Sequence, residues 1–205
     1  MKNRTINILI IGLVCLTAIN VNSEDKFNLI KNRINSSAVV QLDVLITIES
    51  KVFNDIDSAF GKIILAKDGR YQAVINNDIY LNDGKYNWEY SAENNQATKR
   101  VIKEEEVVDN RLAFFKDIDS YYNTKVIQQD LEYKLFKLDK TDDALPDAMK
   151  IILSHKKDHI SKIEYYDLND DLNCIYITEQ FIFDKIENNL FEINLPDSTE
   201  IILLP

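Results

Sequence analysis

Two histidines are the first residues to test for chemistry, because His155 and His159 stand four positions apart. On a helix, that spacing places both imidazoles on one face, as in zinc sites. Here strand-like runs flank the pair, and neither a Glu-x-x-His context nor a neighbouring cysteine accompanies it. The sequence therefore predicts two solvated loop histidines in a hairpin, and no metal site.

An acidic motif begins like a calcium-binding loop, with Asp167, Asn169 and Asp171 at alternate positions. A calcium loop then needs a glycine at its sharp turn and a bidentate glutamate at its last position. The chain instead has Leu172 and Thr178 at those two places. We interpret the motif as the polar tip of a hairpin.

The other catalytic patterns are missing or uninformative. Four glycines in 205 residues do not build a glycine-rich phosphate loop, and no serine lies in a nucleophile-elbow context. With 34 acidic residues, paired carboxylates arise by chance. We predict no catalytic residue, no cofactor and no enzymatic activity; a secreted hydrolase that uses scattered carboxylates is a minor alternative.

The N-terminus has the features of a secretory signal. Lys2 and Arg4 precede an apolar stretch at 6–16, and a small-residue cleavage site ends at Ser23. The alternative is an uncleaved N-terminal anchor. Residues 24–205 then form a single domain in the periplasm, with Cys174 as their one cysteine and hence no internal disulfide.

The net charge disfavours negatively charged partners. It is −10 for the whole chain, and −12 after residues 1–23, which contain two basic side chains and no acidic one. A surface this acidic disfavours nucleic acids and anionic membranes, whose phosphates require lysine and arginine.

Hydrophobic periodicity predicts one helix and one long strand at the start of the domain. Residues 26–37 carry apolar side chains at helical spacing, and 39–49 alternate between apolar and polar. Short strands follow, separated by the turn dipeptides Asp68-Gly69 and Asp83-Gly84. The predicted strands are 61–67, 70–75, 79–81, 86–90, an edge-like 96–103, 125–129, 132–138, 149–154, 160–168 and 174–184, with short helices within 111–122, and apolar segments at 190–195 and 201–204.

These elements favour a mainly β domain of the α+β class with few helices. About eleven strands fit a strongly curved, incomplete antiparallel β-barrel lidded by short helices. Such a sheet either encloses an apolar cavity beneath the helices or forms an ordinary core on which the helices pack. Periodicity alone leaves both arrangements open and favours the packed core.

The order of these pieces resembles the LolA family, periplasmic carriers of lipoproteins in Gram-negative bacteria. The resemblance rests on the run at 61–65, on the strand around Tyr71, and on the hairpin at 81–90, which is similar to the family's DGK-x-x-aromatic-x-Tyr pattern. At the far end, 191–202 resembles the family's closing Phe-x-x-x-x-Pro segment and the hydrophobic strand after it.

The resemblance implies an apolar cavity that takes the acyl chains of lipoproteins. From strand alternation we assign the cavity lining to Val44, Ile46, Ile48, Ile63, Leu65, Tyr71, Ala73, Ile75, Leu81, Trp88 and Tyr90. The lid residues are Ile30, Ile34, Leu112, Phe115 and Ile118. Where the family has an Arg-Pro pair whose arginine anchors the lid, this chain has Lys67 and Asp68, so Lys67 and Arg70 are the candidates for locking the lid.

The partners that the resemblance implies are acylated lipoproteins, an inner-membrane ABC-type releasing complex and an outer-membrane lipoprotein acceptor. A monomer is expected. The alternative function is a periplasmic lipid-sensing or lipoprotein-sensing interaction domain of the same fold, in which the lid is fixed and nothing is transported.

Overall fold

A computed structural model describes residues 23–102, 118–128, 131–139 and 145–204. In these ranges the chain forms α1 (Ser23–Ser36), β1 (Val39–Ser50), β2 (Asp55–Ala66), β3 (Tyr71–Ile75), β4 (Asp78–Asn82), β5 (Tyr86–Ser91), β6 (Gln96–Val101), α2 (Ile118–Tyr121), β7 (Tyr122–Gln128), β8 (Glu132–Lys137), β9 (Ala148–Leu153), β10 (Ile160–Tyr166), β11 (Leu172–Phe183), a 3₁₀ helix (Asn188–Phe191) and β12 (Glu200–Leu204).

All twelve described strands belong to one open sheet, in the order β12-β6-β5-β4-β3-β2-β1-β11-β10-β9-β8-β7. Every pair is antiparallel except β12 and β6, which run parallel. The predicted fold class, a mainly β domain built on an incomplete curved barrel, is confirmed. The predicted edge position of 96–103 is wrong, because β12 lies outside β6 and covers it.

The sheet curls around α1. One buried apolar cluster joins Leu65 of β2 to Leu135 of β8, strands that lie five places apart in the sheet, and it contains Phe27, Ile30 and Ile34 of α1. The face turned toward α1 is the concave face. The apolar stripe predicted for this helix is confirmed, because all three side chains are buried.

Two hairpins show how the sequence specifies its turns. Gly69 and Gly84 have φ angles of 91° and 93°, values that glycine adopts without steric cost, so both predicted Asp-Gly turns are confirmed. β2 begins six residues earlier than predicted. Its first half, which contains Asp55, Asp57 and Ser58, is held by the register with β1, in which Ser50 lies opposite Asp55.

The outer face of the sheet carries a second, smaller core. Val39, Ile64, Ala66, Leu81 and Phe191 are buried there. The segment after β11, which contains the 3₁₀ helix, supplies Phe191 and packs on this face. The predicted 190–195 segment is therefore a packed connection that leads into β12. Cys174 is free and buried, as the sequence predicts.

Candidate functional site

Helix α1 fills one half of the concave face. Phe27 stacks on Tyr133 of β8 with ring centroids 4.5 Å apart. Lys31 Nζ lies 2.6 Å from an Asp119 carboxylate oxygen of α2, and Lys26 Nζ donates to the Ser154 carbonyl at 2.9 Å. Apolar packing with polar contacts at both margins holds the helix against the sheet.

Among the described residues, no helix covers the other half of the concave face. Along β1 the inward side chains Val40, Leu42 and Val44 are buried, Ile46 is half-buried, and Ile48 is 39% exposed. The same five positions were predicted from alternation to share a face, and this is confirmed. Burial therefore decreases along the strand from the α1 end toward the β1–β2 turn.

Neighbouring strands extend this open surface. Ile175 of β11 lies opposite Ile46, Tyr165 of β10 pairs with Asn173 beside Ile48, and Ile75 of β3 lies across β2 from Val44. Ile46, Ile75, Tyr165 and Ile175 are partly buried and pack against the main core. We call Ile46, Ile48, Ile75, Tyr165 and Ile175 the concave patch. It is an apolar surface continuous with the core.

A glycine shapes one side of the concave patch. A Cβ atom at Gly61 of β2 would lie 2.4 Å from the Ile75 terminal methyl and 3.3 Å from a Val44 methyl. The missing side chain therefore lets Ile75 lie across β2. This widens the apolar surface without opening a gap in the sheet.

The structure divides the predicted cavity lining between the two faces of the sheet. Eight residues lie on the concave face: Val44, Ile46, Ile48, Ile63, Leu65, Tyr71, Ala73 and Ile75. On β4, Asn82 pairs with Tyr71 and shares its concave face, so the adjacent Leu81 faces outward. Trp88 pairs with Leu81, and Tyr90 lies two residues further along β5, so both of these residues also lie on the outer face. The two groups do not come together.

The tight turn between β3 and β4 causes this division. Ile75 pairs with Asp78 across a two-residue loop, so odd-numbered residues face inward on β3 and even-numbered residues do so on β4. Asn76 in this loop has a φ of 53°, a conformation that asparagine tolerates. The Asn76-Asn77 dipeptide was the sequence feature from which the switch from odd-numbered to even-numbered inward residues could have been predicted.

Each of the three outer-face residues has a local structural role. Leu81 is fully buried in the outer core, and Trp88 packs against that core. The Trp88 indole N–H donates to Asp83 Oδ2 at 3.0 Å, and the Tyr90 hydroxyl lies 3.4 Å from Asn95 Oδ1. The Trp88–Asp83 contact lies within the hairpin with the DGK pattern, and the Tyr90–Asn95 contact lies at the next turn, between β5 and β6.

The predicted lid residues are placed as follows. Ile30, Ile34 and Ile118 are buried against the sheet in the main core, and Leu112 and Phe115 lie outside the described residues. The described helices therefore pack on the sheet as part of an ordinary core, which is one of the two arrangements that the sequence left open.

The two candidates for locking the lid lie in the turn between β2 and β3. Arg70 binds Asp68 at 2.8 Å and lies over the Phe191 ring at 4.7 Å, so it contacts the outer core. Lys67 is exposed. In the part of the chain that the structure describes, neither side chain forms a hydrogen bond, an ion pair or a ring contact with α1.

Hydrogen bonds from Arg70 determine the ionisation of Asp68. Burial opposes the charged form, but the guanidinium and the backbone N–H of Arg70 outweigh it, so the pKa of Asp68 lies below its usual value. A carboxyl with a lowered folded-state pKa stabilises the fold above its unfolded pKa of about 4, and this contribution disappears as the pH falls through the folded-state value.

We therefore expect the stabilisation of the β2–β3 turn to weaken as the pH falls below about 4, the usual pKa of aspartate, and to be lost at the lower pH at which folded-state Asp68 takes up a proton. The measurement is NMR hydrogen exchange of the Arg70 amide, which donates to Asp68 Oδ1. Asp68→Asn is the control and should abolish the acid-dependent step. An unchanged step in that variant would show that another group is responsible.

The two histidines lie in the loop between β9 and β10, as predicted, but only His155 is exposed. His159 is buried, so the prediction of two solvated histidines is wrong for this residue. It lines a cavity of about 140 Å³ together with Arg33 and Gln180, and neither of its ring nitrogens has a hydrogen-bond partner among the described residues. Loop position alone did not indicate that α1 and β11 pack around it.

In the described ranges, no three His, Cys, Asp or Glu side chains lie close enough together to hold a metal ion. The acidic motif is a hairpin tip, as predicted: Asp167 Oδ1 accepts from the Asn169 and Asp171 amides. The Asp167 carboxylate is therefore engaged by hydrogen bonds within the hairpin, since its Oδ2 accepts from the Asn173 side-chain amide. No helix in the described ranges is long and apolar enough to cross a membrane.

Comparison with known proteins identifies the fold. No protein-family profile and no curated protein sequence matches the chain. Among solved structures, an uncharacterized conserved protein from Thermus thermophilus is similar, with a TM-score of 0.51 and 8% identity over 89% of this chain and 99% of that one.

Two further similar structures have lower scores. A LolA superfamily protein from Nitrosomonas europaea has a TM-score of 0.42 at 8% identity over 84% of this chain and 98% of that one. A DUF1329 family protein from Desulfovibrio piger has a TM-score of 0.43 at 12% identity over 83% and 97%. At these identities a likeness concerns the fold alone.

Proposed function

We propose that this protein is a periplasmic lipid-chain carrier. It binds the acyl chains of lipoproteins on the concave patch and moves them from the inner to the outer membrane. The observation that supports this most is the concave patch itself, a half-exposed apolar surface inside a curved sheet and continuous with a buried core.

The physical need for such a carrier is large. Each methylene group taken out of water contributes about 0.8 kcal/mol, so a lipoprotein with several acyl chains does not cross an aqueous compartment unaided. A carrier that works without a nucleotide must bind these chains by a non-directional interaction that a better acceptor overcomes. Aliphatic side chains such as Ile46, Ile48 and Ile175 supply that kind of contact.

The proposal extends to the surroundings of the protein. The chain is exported, acts as a monomer, receives lipoproteins from an inner-membrane ABC-type releasing complex and delivers them to an outer-membrane acceptor. It performs no catalysis. These statements derive from the resemblance to the LolA family and from the export features of the N-terminus.

The test is to purify the protein from the periplasm without detergent and to measure bound mass by native mass spectrometry. We expect acylated polypeptides or lipids bound at a one-to-one ratio and lost after extraction with organic solvent. A preparation that is free of lipid and that does not take up an acylated peptide would contradict the carrier function.

The packing of α1 favours a second candidate, the interaction domain with a fixed lid. Phe27, Ile30 and Ile34 are almost completely buried, and the Lys31–Asp119 ion pair ties α1 to α2. A sensor binds lipid without moving this helix. Hydrogen exchange separates the two functions. In a carrier, the α1 amides should exchange faster when an acyl ligand is added, and in a sensor their exchange rate should not change.

A further inference from the structure

Some of the most exposed large apolar side chains of the described chain lie on two adjacent hairpin turns. Val52 and Phe53 are in the β1–β2 turn and Ile56 follows in β2, while Tyr166 is the last residue of β10 and Leu168 lies in the β10–β11 turn. Their exposed fractions range from 52% to 86%. We call these five residues the apolar rim.

The two turns are neighbours in space. Glu49 at the end of β1 pairs with Leu172 at the start of β11. Lys51 Nζ lies 4.6 Å from the centre of the Tyr166 ring. The apolar rim is therefore one surface, and it lies at the end of the sheet where the concave patch opens, next to Ile48 and Tyr165.

We propose that the apolar rim docks on the surface of a lipid bilayer and brings the open end of the concave patch against the membrane. This deepens the proposed function by naming the surface with which acyl chains are exchanged. When the open end of the concave patch rests on the membrane, acyl chains are exchanged without passing through water, where each exposed methylene group raises the free energy.

The composition of the rim favours a bilayer over a protein partner. Hot spots of protein interfaces are rich in tryptophan, tyrosine and arginine, and poor in leucine and valine. Four of the five rim residues, Val52, Phe53, Ile56 and Leu168, are of other types, and Tyr166 is the exception. Shallow insertion into a membrane requires apolar area at the tip of a projection, and an aromatic ring and a lysine at headgroup level. Tyr166 and Lys51 take those two positions.

The charges beside the rim predict which lipids it accepts. Glu49, Asp55 and Asp57 are exposed; Glu49 pairs with Ile56, and Asp55 and Asp57 are the chain neighbours of Ile56 in β2. Carboxylates at headgroup depth are repelled by anionic lipids and tolerated by zwitterionic ones. The protein should therefore bind phosphatidylcholine vesicles, and it should bind them more weakly when phosphatidylglycerol is added at low salt.

The experiment is flotation of the purified, lipid-free protein with vesicles of phosphatidylcholine alone or with added phosphatidylglycerol. Phe53→Ser should lower the vesicle-binding constant, obtained from the bound fraction at several lipid concentrations, about tenfold, because the transfer of one phenyl ring from water to an apolar phase corresponds to that factor or more. Phe60→Ser is the matched control. Phe60 is also an exposed phenylalanine of β2, at 69%, but it lies away from the rim and should have no effect.

Every outcome of the flotation experiment decides the proposal. Absence of flotation with any vesicle, stronger flotation with anionic vesicles, or an equal loss in Phe60→Ser would each overturn it. Rim-dependent capture of a protein without vesicle binding would also overturn it and indicate a protein partner.

The Ile46→Asp variant separates this proposal from the carrier function. If it keeps vesicle binding while acyl binding is lost, the rim and the patch act separately. If the wild-type protein floats but takes up no acyl chain, the rim proposal stands and the carrier function fails.

Discussion

Ile46→Asp should reduce the affinity of the protein for a fluorescent sixteen-carbon fatty acid by at least tenfold. Ile46 lies at the centre of the concave patch, half-buried, between Ala59 of β2 and Ile175 of β11. The substitution removes about 1.5–3 kcal/mol of apolar contact with a hydrocarbon chain and places a carboxylate where that chain would exclude water. The measurement is a fluorescence titration of the purified variant.

The control for this variant is Phe60→Asp on the adjacent strand. Phe60 is on the outer face, opposite Leu45, so an aspartate there faces solvent and should leave the affinity for the fatty acid unchanged. Circular dichroism must first show that both variants are folded. Equal affinities for Ile46→Asp and the wild type would contradict an acyl site on the concave patch.

The second large effect concerns stability. Phe27→Ala should lower the free energy of unfolding by about 3–5 kcal/mol, the range for removing a buried aromatic side chain. Phe27 is 1% exposed, stacks on Tyr133 of β8 and lies 5.1 Å from Lys31 Nζ. Urea denaturation followed by fluorescence of the single tryptophan, Trp88, measures the change.

Helix α1 provides its own control. Leu29 is two residues away on the same helix but is 65% exposed, so Leu29→Ala should change stability by less than about 0.5 kcal/mol. A small effect of Phe27→Ala, similar to that of Leu29→Ala, would mean that α1 is not part of the core. The helix would then be a displaceable lid, in agreement with the original lid assignment.

The local features of the fold could be predicted from the sequence because each is encoded by adjacent residues. The alternation along β1 specified its inward face, and the spacing of Phe27, Ile30 and Ile34 specified the buried side of α1. The two Asp-Gly dipeptides specified their turns through the positive φ of glycine.

Features that depend on distant segments could not be predicted in this way. The first half of β2 has weak strand character, and it is a strand because β1 pairs with it along its whole length. The parallel pairing of β12 with β6 joins residues about a hundred positions apart. The burial of His159 likewise results from elements that are remote in sequence.

The candidate site was predicted in part. A single phase error at the Asn76 turn moved Leu81, Trp88 and Tyr90 to the wrong face, because a shift of one residue inverts a strand. The residues of β1, β2 and β3 were unaffected, since the register of those strands follows from the β1 alternation and the first Asp-Gly turn. The part of the site on β10 and β11, which contains Tyr165 and Ile175, was missed because those strands join β1 only through long-range pairing.

The most direct test of the acyl site is paramagnetic relaxation by NMR with a spin-labelled fatty acid and isotopically labelled isoleucine methyl groups. The central claim predicts that the Ile46, Ile75 and Ile175 methyl signals broaden on addition of the ligand, while those of Ile64 and Ile79 on the outer face stay sharp. Broadening confined to Ile64 and Ile79, or no broadening at saturating ligand, would contradict a lipid-binding role for the concave face.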